Sequence, residues 1–583
     1  MKSVLSMLLI FVFLVSPARA QEYSTHASEQ RTDGPELLSF TELVTLSTTA
    51  QPAGALRAHL DAVLATPFVY NGASIAGVRP RRPDVETLGP VLRVGTWNIA
   101  RGLNFELIRA ALRDTSEFER LAANPRPISE ARKELLEKQL NDLQSADVLV
   151  LNEVDLGMKR TEYRDVAREL AAALDMNYAY GVEFLEVDPI FALGTEEVHL
   201  SNPDVDLRLQ QDLLVDRERY RGLHGTAILS RYPIRNARII PLPECYDWYR
   251  QEVKGAARLE KGRRWAADKL FKERIGREVR HGGRMALVAQ LAVPESPTGE
   301  TTIVATHLEN KCKPSCRRRQ MDALLAEIKE DANPVVIAGD LNTTGKNNTP
   351  TSVRNEIMSR VTDYQFWIGQ TASYFHPLGI YQHTIAPVRY FHNYKDPTAL
   401  NLPILWDNRE KPLFKSVERF RFADNGAFDF RGDAEHSLNG AGRTLANSNE
   451  RGGKGFVPTY AFARDYGGLV GRFKLDWIFV KPFIEDPRRT DQSYFFAPHF
   501  AQTMRELNES VEGRISDHAP MTVDLPLLEH RGGPLGQHCI SWEQPAGPRT
   551  AIPESRHKSK HFPSWPMRVS LQFTTHVSRH HGF

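Results

Sequence analysis

Residues 335–342 read VVIAGDLN: five apolar or small residues, then Asp340 and, two places on, Asn342. So short a β-branched run, stopped by polar residues, reads as a buried strand with functional groups at its end. In open α/β sheets a strand end is where a rigid scaffold presents side chains to a ligand. The pattern recurs in GTWN (95–98), LVLNEVD (149–155), IVATHLEN (303–310), KLDWIFV (474–480) and GRISDHAP (513–520). Candidate strands therefore cover 91–99, 147–151, 225–229, 284–293, 301–308, 335–340, 474–480 and 519–525. Helical patterns lie between them at 129–145, where Leu136, Leu140 and Leu143 recur at helical spacing, at 162–174 and at 317–330. Alternation of this kind over one long stretch predicts an α/β layered domain.

If these strand ends converge, one pocket holds Asn98, Glu153, His307, Asp340, Asn342, Asp476, Asp517 and His518. Clustered acids repel one another unless a cation sits among them, so the set implies a metal. Oxygen-rich ligands without cysteine favour Mg2+ or Mn2+ over zinc. An acid–imidazole pair such as Asp476 with His518 orients the ring as a base able to take a proton from water. Metal, positioned water and donors for developing charge are the parts that phosphodiester hydrolysis needs.

The ordered set W-N, E, T-H-L, G-D-L-N, L-D-W-I-F and S-D-H-A-P resembles the endonuclease/exonuclease/phosphatase superfamily, which includes deoxyribonuclease I-like enzymes and neutral sphingomyelinases. It spans about residues 91 to 525, and HGTAILSRYPI (224–234) is similar to an internal strand of that family. The resemblance implies a four-layer sandwich of two packed mixed β-sheets flanked by helices. It also implies roles: Glu153 as metal ligand with Asn98 beside it and Asp517 on the metal side. Asp340 and Asn342 would hold the nucleophilic water and a phosphate oxygen. His518 would be the general base, or a phosphate contact where Asp340 is the base, with Asp476 orienting it. His307 would be an acid or transition-state donor. The family's usual Q-E is N-E here (Asn152-Glu153), and the run from Asn342 to Asp476 is longer than usual, which bears on substrate class.

The rest of the 583 residues sets the context. Lys2, the apolar run Val4–Val15 and Ala18-Arg19-Ala20 fit a cleaved signal peptide (1–20), implying a secreted or periplasmic protein. No segment reaches the ~20 apolar residues of a membrane span. A mostly helical extension (21–88) precedes the phosphoesterase domain (89–527), which long loop insertions interrupt at about 183–223 and 343–472. Residues 528–583 read as a basic, disordered tail. With 74 Lys plus Arg against 72 Asp plus Glu the net charge of +2 steers no polyanion, so nucleic-acid binding would need a local patch. The expected partner is a phosphoester substrate, nucleic acid or phospholipid, met by a monomer with no obligate protein partner. A catalytically silent binding protein on the same scaffold is the rival.

Among the cysteines, Cys312 and Cys316 are spaced for a small disulfide loop, or less readily a zinc site, leaving Cys245 and Cys539 to pair or stay free. His224 reads as an ordinary polar strand-start residue rather than a support for His307, and Trp97 and Trp477 as core. Arg443, Arg451 and Lys454 read as solvated loop residues. Asn342-Thr343-Thr344 and Asn508-Glu509-Ser510 fit glycosylation sequons, and a glycan on Asn342 would block the pocket, so that one should be unused.

Overall fold

The computed structural model describes residues 34–122, 129–190, 192–195, 213–253, 278–343, 409–453, 455–461, 472–483 and 495–527. The expected signal peptide, the tail with Cys539, Lys454 and the middles of both interruptions lie outside these residues. The chain begins with α1 (Phe40–Thr48), α2 (Gly54–Ala65), β1 (Phe68–Tyr70), α3 (Gly72–Ile75), β2 (Asp84–Val85) and β3 (Gly89–Arg101). Helices α4 (Phe105–Arg113), α5 (Thr115–Leu121) and α6 (Glu130–Gln144) lead to β4 (Val148–Leu156), α7 (Val166–Ala173) and β5 (Asn177–Glu186). There follow β6 (Leu223–Ser230), β7 (Ile234–Pro241), β8 (Arg280–Gly282), β9 (Met285–Ala292), β10 (Glu300–His307), α8 (Pro314–Glu327) and β11 (Val335–Asp340). Helix α9 (Lys411–Arg419) precedes the short strands β12 (Arg451–Gly452), β13 (Gly455–Phe456), β14 (Tyr460–Ala461) and β15 (Arg472–Phe473). Last come β16 (Asp476–Lys481), β17 (His499–Thr503), α10 (Arg505–Asn508) and β18 (Met521–Pro526).

Two mixed sheets form. A nine-stranded sheet runs β1-β5-β6-β4-β3-β18-β17, with β2 and β8 attached, and a five-stranded sheet runs β16-β11-β10-β9-β7. Each contains one parallel pair, β3 with β4 and β10 with β11, among antiparallel neighbours. Strand alternation explains why they stack. In β4, Val148 and Val150 face the space between the sheets, while Leu149 and Leu151 face the helices. In β11, Val336 and Ala338 face that space while Val335 and Ile337 pack under α8 and α9. The result is the expected four-layer sandwich of helices, sheet, sheet and helices. Residues 34–88 are built onto it, since β1 extends the larger sheet against β5.

Two expectations change. Cys316 bonds to Cys245, with Cα atoms 5.9 Å apart, and Cys312 stays a buried thiol that burial pushes up to about 11. Spacing favoured the local pair, but the loop after β7 brings Cys245 to the start of α8, a contact sequence distance does not reveal. The interruption placed at 183 begins later, because β5 runs through Glu186. Among the described residues no helix is long and apolar enough to cross a membrane.

Candidate functional site

Three of the expected site residues stand in one row across the smaller sheet. Parallel pairing sets His307 opposite Asp340, and antiparallel pairing sets Asp340 opposite Asp476. Residues directly opposite in a ladder share a face, so register alone aims all three at the same end of the sandwich. Gly339 makes the row possible. At φ +140° a Cβ there would lie 2.0 Å from the Thr306 carbonyl oxygen and 2.8 Å from Asn152 Oδ1. Asn152 uses that space to tie the sheets together: its Oδ1 accepts the Asp340 N–H at 2.9 Å, and its Nδ2 donates to Thr226 Oγ1 at 3.2 Å.

The larger sheet delivers its residues differently. The β3–β4 ladder shifts between Asn98 and Arg101, and the β4–β6 ladder shifts between Leu151 and Val154. There Ala100, Arg101 and Glu153 take φ of 46°, 71° and 53°. Such conformations cost about 1–3 kcal/mol each for residues with a side chain, and bulges re-aim side chains at functional sites. Glu153 Oε1 accepts from Asn98 Nδ2 at 3.3 Å, and Arg101 Nε lies 3.9 Å from Oε2. Burial works against its charge, but Arg101, His224 and His518 outweigh it and hold Glu153 below the usual carboxylate range.

The two halves meet at Asp340. Its Oδ2 is 3.2 Å from Asn98 Nδ2, 3.6 Å from His307 Nε2 and 3.7 Å from His518 Nε2. His518 is set in place by the larger sheet: Trp97 Nε1 donates to its carbonyl at 2.9 Å, and Ser516 Oγ donates to the Asn98 carbonyl at 2.8 Å. Its Nδ1 is 2.8 Å from Asp476 Oδ2, a group that only accepts, so Nδ1 carries hydrogen. Against burial, Asp476, Asp340 and Asp517 hold His518 well above the usual imidazole range. Burial, together with Asp476 and Glu153, pushes Asp340 up to about 7 against the opposing pull of His518.

Asn342 is buried and in a left-handed conformation (φ 50°); its N–H donates to Asp340 Oδ1 at 2.8 Å and its Nδ2 to the Leu308 carbonyl at 3.0 Å. Asp517 stands apart from the buried set, its side chain exposed at the rim beside Ser516. Both sequons are sealed: Asn508, like Asn342, is buried, and its Nδ2 donates to the Ser516 carbonyl at 2.7 Å.

His224 stands at the start of β6, the position expected of it. It is buried, with Nδ1 2.8 Å from Asp155 Oδ1, and Asp155 is gripped by Arg160. His307 is supported by Arg284 and, through it, Glu183, two charged residues that the sequence does not single out. Their only signals are a charge within an apolar run at Glu183 and one just before such a run at Arg284. Arg443 is exposed as expected, but Arg451 is buried, with its guanidinium 4.5 Å over Phe456. Trp97 and Trp477 are core residues, each spending its ring N–H on the site's frame.

The donor set fits a hard cation. One atom each of Asp340, Asp476 and His518 lies within 4.8 Å of the others, and Asp476 Oδ1 is buried with no hydrogen-bond partner among the described residues. Glu153, Asp340 and Asp476 gather their carboxylates around Asn98, an oxygen-rich set that suits a hard divalent cation.

The sequence matches the Endonuclease/Exonuclease/phosphatase family over residues 95–518. An endonuclease/exonuclease/phosphatase from Beutenbergia cavernae DSM 12333 is similar at 15% identity, covering 75% of this chain and 71% of that one, with a TM-score of 0.33. The human Nocturnin catalytic domain with bound sulfate anion is similar at 13% identity, covering 76% and 98%, with a TM-score of 0.30. The 3' phosphatase NExo from Neisseria, bound to product DNA hairpin, gives 12% identity, 74% and 99%, and 0.32. No curated protein matches the sequence.

Proposed function

The chain belongs to the endonuclease/exonuclease/phosphatase family, hydrolases that act on phosphoesters, and from that premise we propose that it is an exported, divalent-cation-dependent phosphodiesterase. Its substrate is a nucleic acid strand or a phospholipid or sphingolipid head group, attacked by water in line with the leaving oxygen. The observation that carries this reading is the meeting of Asn98, His307 and His518 on Asp340 Oδ2 at 3.2, 3.6 and 3.7 Å, with Glu153 joined through Asn98.

Each residue has a separate task. Asp340, with its proton affinity near neutrality, positions the water and takes its proton. His518, kept charged by Asp476, holds a phosphoryl oxygen and meets the charge that grows on it. The role of base thus falls to Asp340, since a protonated His518 accepts nothing. Asn98 and Asn342 orient these groups by side-chain and backbone hydrogen bonds. Glu153, with Asn98 and Asp517 on its side, would hold a divalent cation, which when bound would supply Lewis-acid polarisation of the phosphate and offset charge on the leaving oxygen. Family members typically use such a metal, and the oxygen-rich set favours Mg2+ or Mn2+.

A panel of bis(p-nitrophenyl) phosphate, single-stranded and duplex DNA, RNA and sphingomyelin vesicles, each with Mg2+, Mn2+ or EDTA, tests the reading. At least one diester is cleaved with metal and none with EDTA. Failure on every member of the panel would favour a silent binding protein. Export is checked separately: the protein recovered outside the cytoplasm should begin at Gln21.

A further inference from the structure

The two histidines that face Asp340 have opposite partners on their far nitrogens. His518 Nδ1 meets the Asp476 carboxylate, whereas His307 Nδ1 meets Arg284 Nη1 at 2.8 Å. A guanidinium has only N–H groups and cannot accept, so His307 Nδ1 must be the acceptor and bear no hydrogen. In a neutral ring the hydrogen then sits on Nε2. That atom is buried, has no hydrogen-bond partner among the described residues, and points to Asp340 Oδ2 from 3.6 Å.

Arg284 is not free to turn away. The same Nη1 donates to Glu183 Oε2 at 2.6 Å, Nε lies 3.6 Å from Glu309 Oε2, and the guanidinium packs 5.2 Å from the centre of the Phe184 ring. Glu183 is fixed in turn, because Thr226 Oγ1 donates to its Oε1 at 2.6 Å. Glu183 Oε2 itself stays 3.7 Å from His307 Nδ1, too far to take a hydrogen from it. The acid that could have charged this imidazole is occupied by Arg284.

Resting on the phosphodiester reading, we infer that Arg284 is a positioning residue that locks His307 as the neutral Nε2–H tautomer, making His307 a fixed hydrogen-bond donor to a phosphoryl or leaving-group oxygen and not a proton-transferring acid. His307 keeps its proton throughout; no bond to it breaks. Burial and the adjacent Arg284 charge also hold His307 well below the usual imidazole range, in keeping with a ring that stays neutral.

Full-length protein with nitrogen-15-labelled histidine, in the presence of Mg2+, tests this by long-range proton–nitrogen NMR, with the His307 signals identified by their loss in His307→Gln. Across about pH 5 to 8 His307 should show a protonated Nε2 and a bare Nδ1. Protons on both nitrogens near neutrality, or on Nδ1 alone, overturn the inference. Arg284→Met should release the lock and free Glu183, so that Nδ1 gains a proton and kcat falls with KM nearly unchanged. If that variant does not fold, the wild-type spectrum still decides. On a cleaved diester, His307→Gln, whose amide can place an N–H near the same point, should keep kcat within about tenfold while His307→Ala loses about a hundredfold. Equal losses in the two would mean that a proton moves and would overturn the inference. Absence of hydrolysis on every substrate would sink the phosphodiester reading, and the spectrum alone would then decide whether Arg284 locks the ring.

Discussion

In the five-stranded sheet His307, Asp340 and Asp476 stand in one row of an unbroken ladder, whereas in the nine-stranded sheet Asn98 and Glu153 stand where two ladders shift. Register places side chains at no conformational cost, and needs only a residue as small as Gly339 where Asn152 crosses between the sheets. A bulge takes Glu153 out of strand alternation and stores strain to do so. The difference matches the division of labour proposed for the two sheets. Asp340, which meets the water, and His307 lie on the regular side; Glu153, the cation's main ligand, lies on the irregular one, and His518 is anchored to that same larger sheet.

The largest expected effects separate these two sides. Asp340→Asn should lower kcat by about 10²–10⁴-fold at saturating metal, the range for loss of a general base, while the fold stays intact by circular dichroism. Glu153→Gln should lose comparable activity through the metal, seen as a weaker Mn2+ affinity in calorimetry and partial recovery at high Mn2+. Identical metal dependence in the two variants would break the division. A smaller effect is expected from Gly339→Ala, which forces a side chain against the Thr306 carbonyl in a region costing about 1–3 kcal/mol. Its melting temperature should fall along with activity; an unchanged melting curve would mean that the row does not depend on that close approach.

The mildest probe is pH. Asp340 must be deprotonated to act, and its affinity lies at about 7, so kcat/KM should fall towards acid below that point, about tenfold per unit. A bound cation favours the carboxylate and moves this limb to lower pH, so Mn2+ titration should shift it in that direction. An acid limb that stays at the same pH in Asp340→Asn as in the unaltered protein would remove Asp340 as the base.

The regular sheet was also the legible one. Each polar residue that closes an apolar run, Asp340 after VVIAG or His307 after IVAT, lies where simple alternation puts it. The bulges at Arg101 and Glu153 left no pattern, because nothing in TWNIARG or LVLNEVD marks an extra residue. Strand β7 escaped notice because it is an edge strand, half exposed along its length. The end of β5 read as loop because Glu183 and Glu186 interrupt its apolar run; only the fold shows that Arg284, Arg160 and Arg280 neutralise them. The Cys245–Cys316 bond and the Asp155–His224 pair were hidden for the same reason, since each joins elements far apart in sequence.

That acids and imidazoles from both sheets act as one centre is tested most directly by a double-mutant cycle on diester hydrolysis, pairing Glu153→Gln with His518→Ala. A single centre predicts a double variant barely slower than the worse single one, because either loss already disables the shared step. Losses that multiply would mean that the two sides act independently, and would contradict the account.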